Sequence, residues 1–246
     1  MSLAKSNSFS TIQSVCACGR IQLETARVSS LTPAITCHCR RCRKYHLTAF
    51  TSYLQLKKDQ ISIAKGNDQD IQVYQDFCDQ VGRVDRLQCV HCNSKLATQI
   101  PQESTAWLNM GPLVEESITS ECCEKWKSSA GRMLPQKAAW VDTIPETRPI
   151  REGGRPPPVQ IQGGCACGKS RYQLQYAFGS ELQHCYCKLC RQLSGGPFPT
   201  WVPVSRYRFQ WQTEEPPLIR TTPNGRRHIC EGCGGVLTIV YDSQSD

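Results

Sequence analysis

The chain has 246 residues, a length that suits one large domain or two small ones. Hydrophobic residues make up 39% of the chain and aromatic residues 8%, which is a low content for a chain of this length. Small domains with few apolar residues usually need disulfides or bound metals to supplement their cores, and the chain has 17 cysteines that could provide either. The formal net charge is +8, but no run of Lys and Arg alternates with aromatic residues. We therefore do not expect a nucleic-acid partner.

The cellular compartment decides between disulfides and metals. The N-terminal segment MSLAKSNSFSTIQSV has no apolar stretch of signal-peptide length, and no segment has the ~18 apolar residues of a membrane span. We therefore expect a cytoplasmic, reducing environment without membrane contact, where clustered cysteines are more often metal ligands or catalytic groups. Fourteen motif thiolates with four zinc ions would carry about −6 and bring the net charge to about +2.

In chain order, the first half carries three cysteine motifs on a β-rich background. They are CACG at Cys16–Gly19, CHCRRC at Cys37–Cys42 and CVHC at Cys89–Cys92. Gly19 follows its cysteine pair at a turn that is expected to need a positive φ. Between the motifs, Gln60–Ile63 has the composition of a short strand, and a short helix is predicted near Glu121–Met133.

A linker is predicted at 145–160, because PETRPIREGGRPPPVQ is rich in Pro, Gly and Arg and poor in apolar residues. The second half then repeats the motifs as CACG at Cys165–Gly168, CYCKLC at Cys185–Cys190 and CEGCGG at Cys230–Gly235. Gly168 occupies the same expected turn as Gly19. Tyr172–Tyr176 and Val236–Tyr241 are predicted strands.

Both halves therefore follow one pattern, C-x-C-G, then C-x-C-x-x-C, then C-x-x-C. The first two motifs start 21 residues apart in the first half and 20 in the second, and the next gap is 52 and 45 residues. Two units of so complex a pattern indicate tandem domains rather than a solenoid. We predict a mainly β chain of two small zinc-stapled domains, at 1–144 and 161–246.

Each half offers seven motif cysteines, which divide naturally into four and three. Four thiolates close a structural zinc site, whereas a catalytic zinc keeps three protein ligands and an open position. A fourth ligand from His38 or His46, or from His184 or His228, would close the three-cysteine sites instead, and a metal-free cluster of reactive thiols is a further alternative. Outside the motifs, Cys78, Cys122 and Cys123 are expected to be buried free thiols.

The order of motifs, with CKLCRQLSGGPF in the second half and Trp126 and KAAWVDTIP at Lys137–Pro145 in the first, resembles the glutathione-dependent formaldehyde-activating enzyme family. That family includes centromere-protein-V-like proteins. The resemblance covers most of the chain as two tandem copies and implies a β fold similar to Mss4. Against the family pattern, the chain has Asn93 in place of Gly, YHLTAF in place of a Gly-rich stretch, and Tyr186 in place of His. The second copy ends 13 residues past Cys233, so we expect it to be C-terminally short.

The resemblance also implies how the cysteines divide. Two structural zinc ions would be held by Cys16, Cys18, Cys89 and Cys92 in the first copy and by Cys165, Cys167, Cys230 and Cys233 in the second. Up to two labile, catalytic-type zinc ions would be held by Cys37, Cys39 and Cys42 and by Cys185, Cys187 and Cys190. Either copy, or a pocket shared between them, is a candidate for the active site.

An open zinc site of three thiolates would accept a glutathione-like thiol and hold it as a thiolate beside an electrophile such as formaldehyde. The implied class is carbon–sulfur lyase. Arg43 and Arg191 each follow the third cysteine of a triplet, and we expect them to bind the carboxylates of a glutathione-like substrate. The alternative is a zinc-stapled, non-catalytic module that binds a protein, with chromatin as the less favoured partner.

Overall fold

The computed structural model describes residues 10–29, 31–78, 81–122, 130–132, 158–176 and 182–243. Strands dominate, and the two halves follow the same order of elements. This arrangement confirms the predicted mainly β fold. Within the described residues, none of the helices is both long and apolar enough to span a membrane.

The first half contains two sheets. The strands β1 (Ser10–Val15), β2 (Gln22–Val28) and β5 (Ile61–Lys65) pair in the order β1-β2-β5. The other sheet consists of β3 (Ala34–Cys37), β4 (Thr51–Lys57), β6 (Ile71–Cys78), β7 (Gly82–Cys89), β8 (Lys95–Gln99), β9 (Thr105–Asn109) and β10 (Ala130–Arg132). Its order is β10-β3-β4-β9-β8-β7-β6, and the short helix α1 (Arg40–His46) connects β3 to β4.

The second half repeats this order with shorter sheets. One sheet is formed by β11 (Val159–Gly164), β12 (Arg171–Tyr176) and β15 (Phe209–Trp211). A second sheet pairs β13 (Gln183–His184) with β14 (Thr200–Trp201), and the helix α2 (Lys188–Ser194) connects these two strands. The third sheet consists of β16 (Leu218–Thr222), β17 (Gly225–Ile229) and β18 (Val236–Tyr241). The part of this half that the structure describes has no strand in the place of β9, which in the first half joins β4 to β8.

One of the three hydrophobic clusters of the described residues extends from the first half into the second. Alternate residues of the strands point inward, so that Ile12, Leu54, Leu96 and Leu108 are fully buried. Leu193 of α2 packs into the same cluster. Burying each such side chain contributes about 1.5–3 kcal/mol, so the two halves stabilise each other.

Equivalent segments of the two copies meet at the contact between them. Phe50 and Phe198, each eight residues past the third cysteine of its triplet, pack edge to face with ring centroids 5.9 Å apart. Beside them, Nδ1 of His46 donates a hydrogen bond of 2.6 Å to the Ser194 carbonyl. The residues that follow α1 and α2 therefore form an interface with approximate two-fold character.

The predicted strands at Gln60–Ile63, Tyr172–Tyr176 and Val236–Tyr241 are present as β5, β12 and β18. Gly19 and Gly168 have φ values of +71° and +96°, as the turns were expected to require. The pattern of alternating and β-branched residues was therefore sufficient to find these elements.

Several predictions fall wholly or partly on residues outside the described ranges. Cys123, Trp126, Lys137–Pro145 and most of the linker at 145–160 lie there. A helix was predicted near Glu121–Met133. The described residues 120–122 are helical, but Ala130–Arg132 forms the strand β10, which pairs in parallel with β3, so the prediction of one helix over this segment is wrong. β11 begins at Val159, two residues before the predicted start of the second domain.

Candidate metal centres and active site

The 16 described cysteines are all free thiols, and 15 of them gather into four clusters in which the sulfurs lie within 4.8 Å of one another. Three clusters have four members and one has three. They are Cys16, Cys18, Cys89 and Cys92; Cys37, Cys39, Cys42 and Cys78; Cys165, Cys167, Cys230 and Cys233; and Cys185, Cys187 and Cys190. Among the described cysteines, only Cys122 stands outside a cluster.

Two clusters join the C-x-C and C-x-x-C motifs of one copy, the grouping that the resemblance implied. The sulfur of Cys18 lies 3.4 Å from that of Cys16 and 3.8 Å from that of Cys89, and the corresponding distances in the second copy are 3.4 and 3.6 Å. Tetrahedral zinc with bonds of about 2.3 Å places its sulfur ligands ~3.8 Å apart. The sulfur atoms therefore fit a tetrahedral zinc ion in each cluster.

The backbone around these two clusters is also alike. The amide of Ile21 donates to the Cys16 sulfur at 3.2 Å, and the amide of Ser170 donates to the Cys165 sulfur at 3.3 Å. Asn93 has a φ of +60° and its counterpart Gly234 has +65°. Asn is among the few residues that adopt this left-handed conformation readily, so the departure from Gly at position 93 is accommodated.

The first triplet forms a closed, buried cluster with a fourth cysteine that belongs to none of the sequence motifs. Cys39 caps α1 by accepting a hydrogen bond of 3.3 Å from the Cys42 amide. Cys78, at the end of β6, completes the group, and all four cysteines are at most 2% exposed. Cys78 is a buried free thiol, as expected, but it lies beside the triplet and not apart from the motifs.

The second triplet has the same backbone but a different environment. Cys187 caps α2 by accepting a hydrogen bond of 3.4 Å from the Cys190 amide, and its sulfur lies 3.4 Å from that of Cys185. Cys190 is buried, Cys185 is partly exposed and Cys187 is exposed. No other described His, Cys, Asp or Glu joins this group. Two of the three thiols, those of Cys185 and Cys187, are therefore open to solvent.

The histidines considered as a fourth ligand take other roles. None of them belongs to a cluster formed by the described residues. His46 bonds to the Tyr53 hydroxyl and the Ser194 carbonyl, and burial lowers its pKa to about 3, so it is neutral. His184 contacts Thr200 at 3.0 Å, and both ring nitrogens of His228 contact side chains away from the triplet. His38 stacks against Phe50 at 5.3 Å.

Arg43 and Arg191, predicted to bind a substrate, both contact the protein itself. Nε of Arg43 donates to the His38 carbonyl at 3.1 Å, which braces the loop before α1. Arg191 of the second copy forms an ion pair of 2.5 Å with Glu115 of the first copy, whose own side chain is mostly exposed. Their contact with a substrate carboxylate therefore stays a prediction.

Two other arginines lie against the triplets, and the sequence analysis missed them. Nη2 of Arg86, which is fully buried, donates to the Cys42 sulfur at 3.4 Å. In the second copy Arg227 holds the equivalent place beside Cys190. Each stands three residues before the C-x-x-C motif of its copy, and this shared R-x-x-C spacing was the sequence signal that could have revealed them.

The thiols of the second triplet differ in acidity. Burial raises the pKa of Cys190, and the neighbouring Cys185 raises it further. Burial also opposes ionisation of Cys187, but hydrogen bonds from the Cys190 amide and contacts with the neighbouring thiols bring its pKa below the ordinary value. Burial lowers the pKa of Arg227, and its attraction to the Cys190 thiolate opposes that shift. The exposed Cys187 is thus more readily ionised than the buried Cys190 before a metal binds.

A narrow cavity beside Cys190 is lined by both copies. The second copy contributes Leu193, Trp201 and Arg227, and the first contributes residues of α1 and the turn that follows it, Tyr45, His46 and Leu47. The guanidinium of Arg227 lies over the Trp201 ring at 5.9 Å, where a cation–π contact helps to hold it. The environment of the second triplet therefore depends on the first copy.

Each of the two tandem β units has four cysteines that could hold a tetrahedral metal ion and a further cysteine cluster at the start of a short helix. These features define a class of thiolate-rich β proteins with the ligands for zinc. Comparison with known families gives a more specific result. The family model described as glutathione-dependent formaldehyde-activating enzyme matches residues 11–129 and 160–246. The chain therefore belongs to this family, as two tandem copies. No curated protein matches it.

Proposed function

We propose that the chain is a zinc-dependent enzyme of the carbon–sulfur lyase type, which acts on a glutathione-like thiol or its adduct at the second triplet. The observation that carries the proposal is the contrast between two equivalent clusters. Cys37, Cys39 and Cys42 are buried with a fourth cysteine, whereas the second triplet has no fourth cysteine among the described residues, and its Cys185 and Cys187 reach solvent. A substrate sulfur can approach only the second.

Family membership supports the reaction. Zinc bound by the three thiolates would hold an incoming thiol in its deprotonated form. The thiol sulfur then forms a bond to the carbon of formaldehyde, the carbonyl π bond breaks toward oxygen, and the proton lost by the thiol returns to that oxygen. The product is an S-hydroxymethyl adduct, and the reverse reaction breaks the same carbon–sulfur bond.

The residues of this chain supply position and charge. The Cys187 sulfur is fixed by its role as the cap of α2, and its neighbour Cys190 is fixed at the first turn of that helix. Arg227 places a positive charge beside Cys190, which offsets part of the negative charge of three thiolates. Phe198 packs against Tyr186 with ring centroids 5.0 Å apart and forms an apolar wall on one side of the triplet loop.

The proposal is tested by measuring exchange between formaldehyde, glutathione and their adduct with two-dimensional exchange NMR. The zinc-loaded protein is expected to accelerate this exchange, and Cys185→Ser is expected to reduce the acceleration at least 100-fold, because the open site loses one of its three ligands. Cys122→Ser is the matched control, since Cys122 is buried but belongs to no cluster. Equal rates in Cys185→Ser and the wild type would contradict the proposal. No acceleration by the wild type would instead favour the binding-module alternative.

A further inference from the structure

Cys78 reaches the first triplet because of the length of one hairpin. β6 and β7 pair without a break from Ile71 and Cys89 to Cys78 and Gly82. This ladder continues for four pairs beyond Arg86, the arginine that contacts Cys42. The last pair places Cys78 beside the triplet, where its sulfur lies within 4.8 Å of the sulfurs of all three triplet cysteines.

The second copy has a shorter hairpin at the same place. β16 and β17 extend only two pairs beyond Arg227, the counterpart of Arg86, and end at Thr222 and Gly225. The sequence also has no cysteine between Cys190 and Cys230. This copy can therefore bring no fourth thiol to its triplet from that hairpin. The difference between the two clusters is built into strand length and does not depend on the placement of a single side chain.

The surroundings of the first cluster are those of a closed, charged centre. Arg86 is fully buried and donates to the Cys42 sulfur, to the Tyr53 hydroxyl at 3.1 Å and to Asp76 at 3.3 Å. The Tyr53 hydroxyl lies 3.6 Å from the Cys42 sulfur. A buried guanidinium needs partners of negative charge. Four thiolates around a divalent cation carry a net charge of −2, and Arg86, which also pairs with Asp76, offsets part of it.

We propose that Cys78 is the fourth ligand of a closed, structural zinc site with Cys37, Cys39 and Cys42. The first copy then holds two structural zinc ions, and the molecule has one labile zinc ion, in the second copy. This assignment rests on sulfur positions and burial and is independent of the proposed activity. It reduces the up to two labile zinc ions expected from the sequence to one, and the physical cause is the two additional pairs of the first hairpin.

The first test counts zinc ions by native mass spectrometry before and after exposure to excess glutathione. The wild type is expected to hold four ions and to lose one. Cys78→Ala opens the first triplet and is expected to raise the number lost to two. The control Cys122→Ala removes an equally buried thiol outside the clusters and is expected to lose one. If Cys78→Ala loses no more zinc than Cys122→Ala, Cys78 is not a ligand.

A second measurement needs no variant, so it decides the question even where Cys78→Ala fails to fold. Cadmium-113 replaces zinc in thiolate sites, and its NMR shift distinguishes four sulfur ligands from three. The wild-type chain loaded with cadmium is expected to give three resonances of the four-sulfur type and one of the three-sulfur type. Two resonances of each type would overturn the proposal, whatever the activity of the protein.

Discussion

At the scale of single residues, the two triplets differ through the atoms that surround them, although their own geometry is the same. Cys39 and Cys187 cap their helices in the same way, at 3.3 and 3.4 Å from the amide of the third cysteine. Each triplet has an arginine beside its third cysteine, Arg86 or Arg227, but the first triplet also faces Cys78, whereas the second faces a cavity. The chemistry that we assign to the second triplet therefore depends on Arg227 as a positioning residue.

We predict that Arg227→Gln lowers the rate of adduct exchange about 10- to 100-fold, the usual effect of removing a group that supports metal ligands. Loss of the positive charge beside Cys190 disfavours the thiolate form, so the rate at low pH should fall most and the pH profile should shift upward. Arg227→Lys restores the charge and is expected to recover part of the activity. The measurement is the exchange rate between pH 6 and 9.

The matched control for this prediction is Arg226→Gln. Arg226 is the preceding residue of the same strand, and its side chain is 40% exposed and pairs with Asp242 on the protein surface. Its replacement is expected to leave the pH profile unchanged. An equal upward shift in both variants would show that the effect comes from overall charge and not from the contact with Cys190.

At the scale of elements, each short helix ends in a left-handed residue, and in α2 this end forms part of the contact between copies. Gly195, the C-cap of α2, has a φ of +73°. A Cβ atom there would lie 2.6 Å from Asn109 and 2.7 Å from Lys95 of the first copy. The equivalent residue of α1 is Leu47, which has room for its side chain. Gly195 is thus required by packing as well as by conformation.

We predict that Gly195→Ala destabilises the protein by about 2–4 kcal/mol, the combined effect of left-handed strain and overpacking. Gly19→Ala is the matched control, because Gly19 has nearly the same φ, +71°, but no atom within 4 Å of the added Cβ. It should lose only about 1–2 kcal/mol. Unfolding in urea measures both values. Equal losses of unfolding free energy in the two variants would show that the two copies are not closely packed at Gly195.

The sequence predicted the elements that depend on local patterns and missed those that depend on distant partners. β5, β12 and β18 follow from alternating and β-branched residues, and the two groups that join C-x-C to C-x-x-C were implied by the family resemblance. Cys78 belongs to no motif and lies 36 residues after Cys42 in the chain. Only the pairing of β6 with β7 brings it beside the triplet. β10 was missed because its partner β3 lies nearly 100 residues away.

At the scale of the whole molecule, one copy supports the other. The first copy contributes the larger sheet, two four-cysteine clusters and the wall of the cavity at Tyr45, His46 and Leu47. The second copy contributes the exposed triplet. His46 bridges the two by its bond to Ser194, and its Nε2 accepts from Tyr53 within the buried network of the first cluster. In the function that we propose, this arrangement divides structural and chemical roles between two copies of one fold.

The central claim is that a single labile zinc ion, in the second copy, carries the activity. Stepwise removal of zinc from the wild-type protein with a mild chelator tests it most directly, with the zinc count and the rate of adduct exchange recorded on the same samples. We expect the rate to fall in proportion as the count falls from four to three, and to be lost at three. Full activity at three zinc ions per chain would contradict the claim.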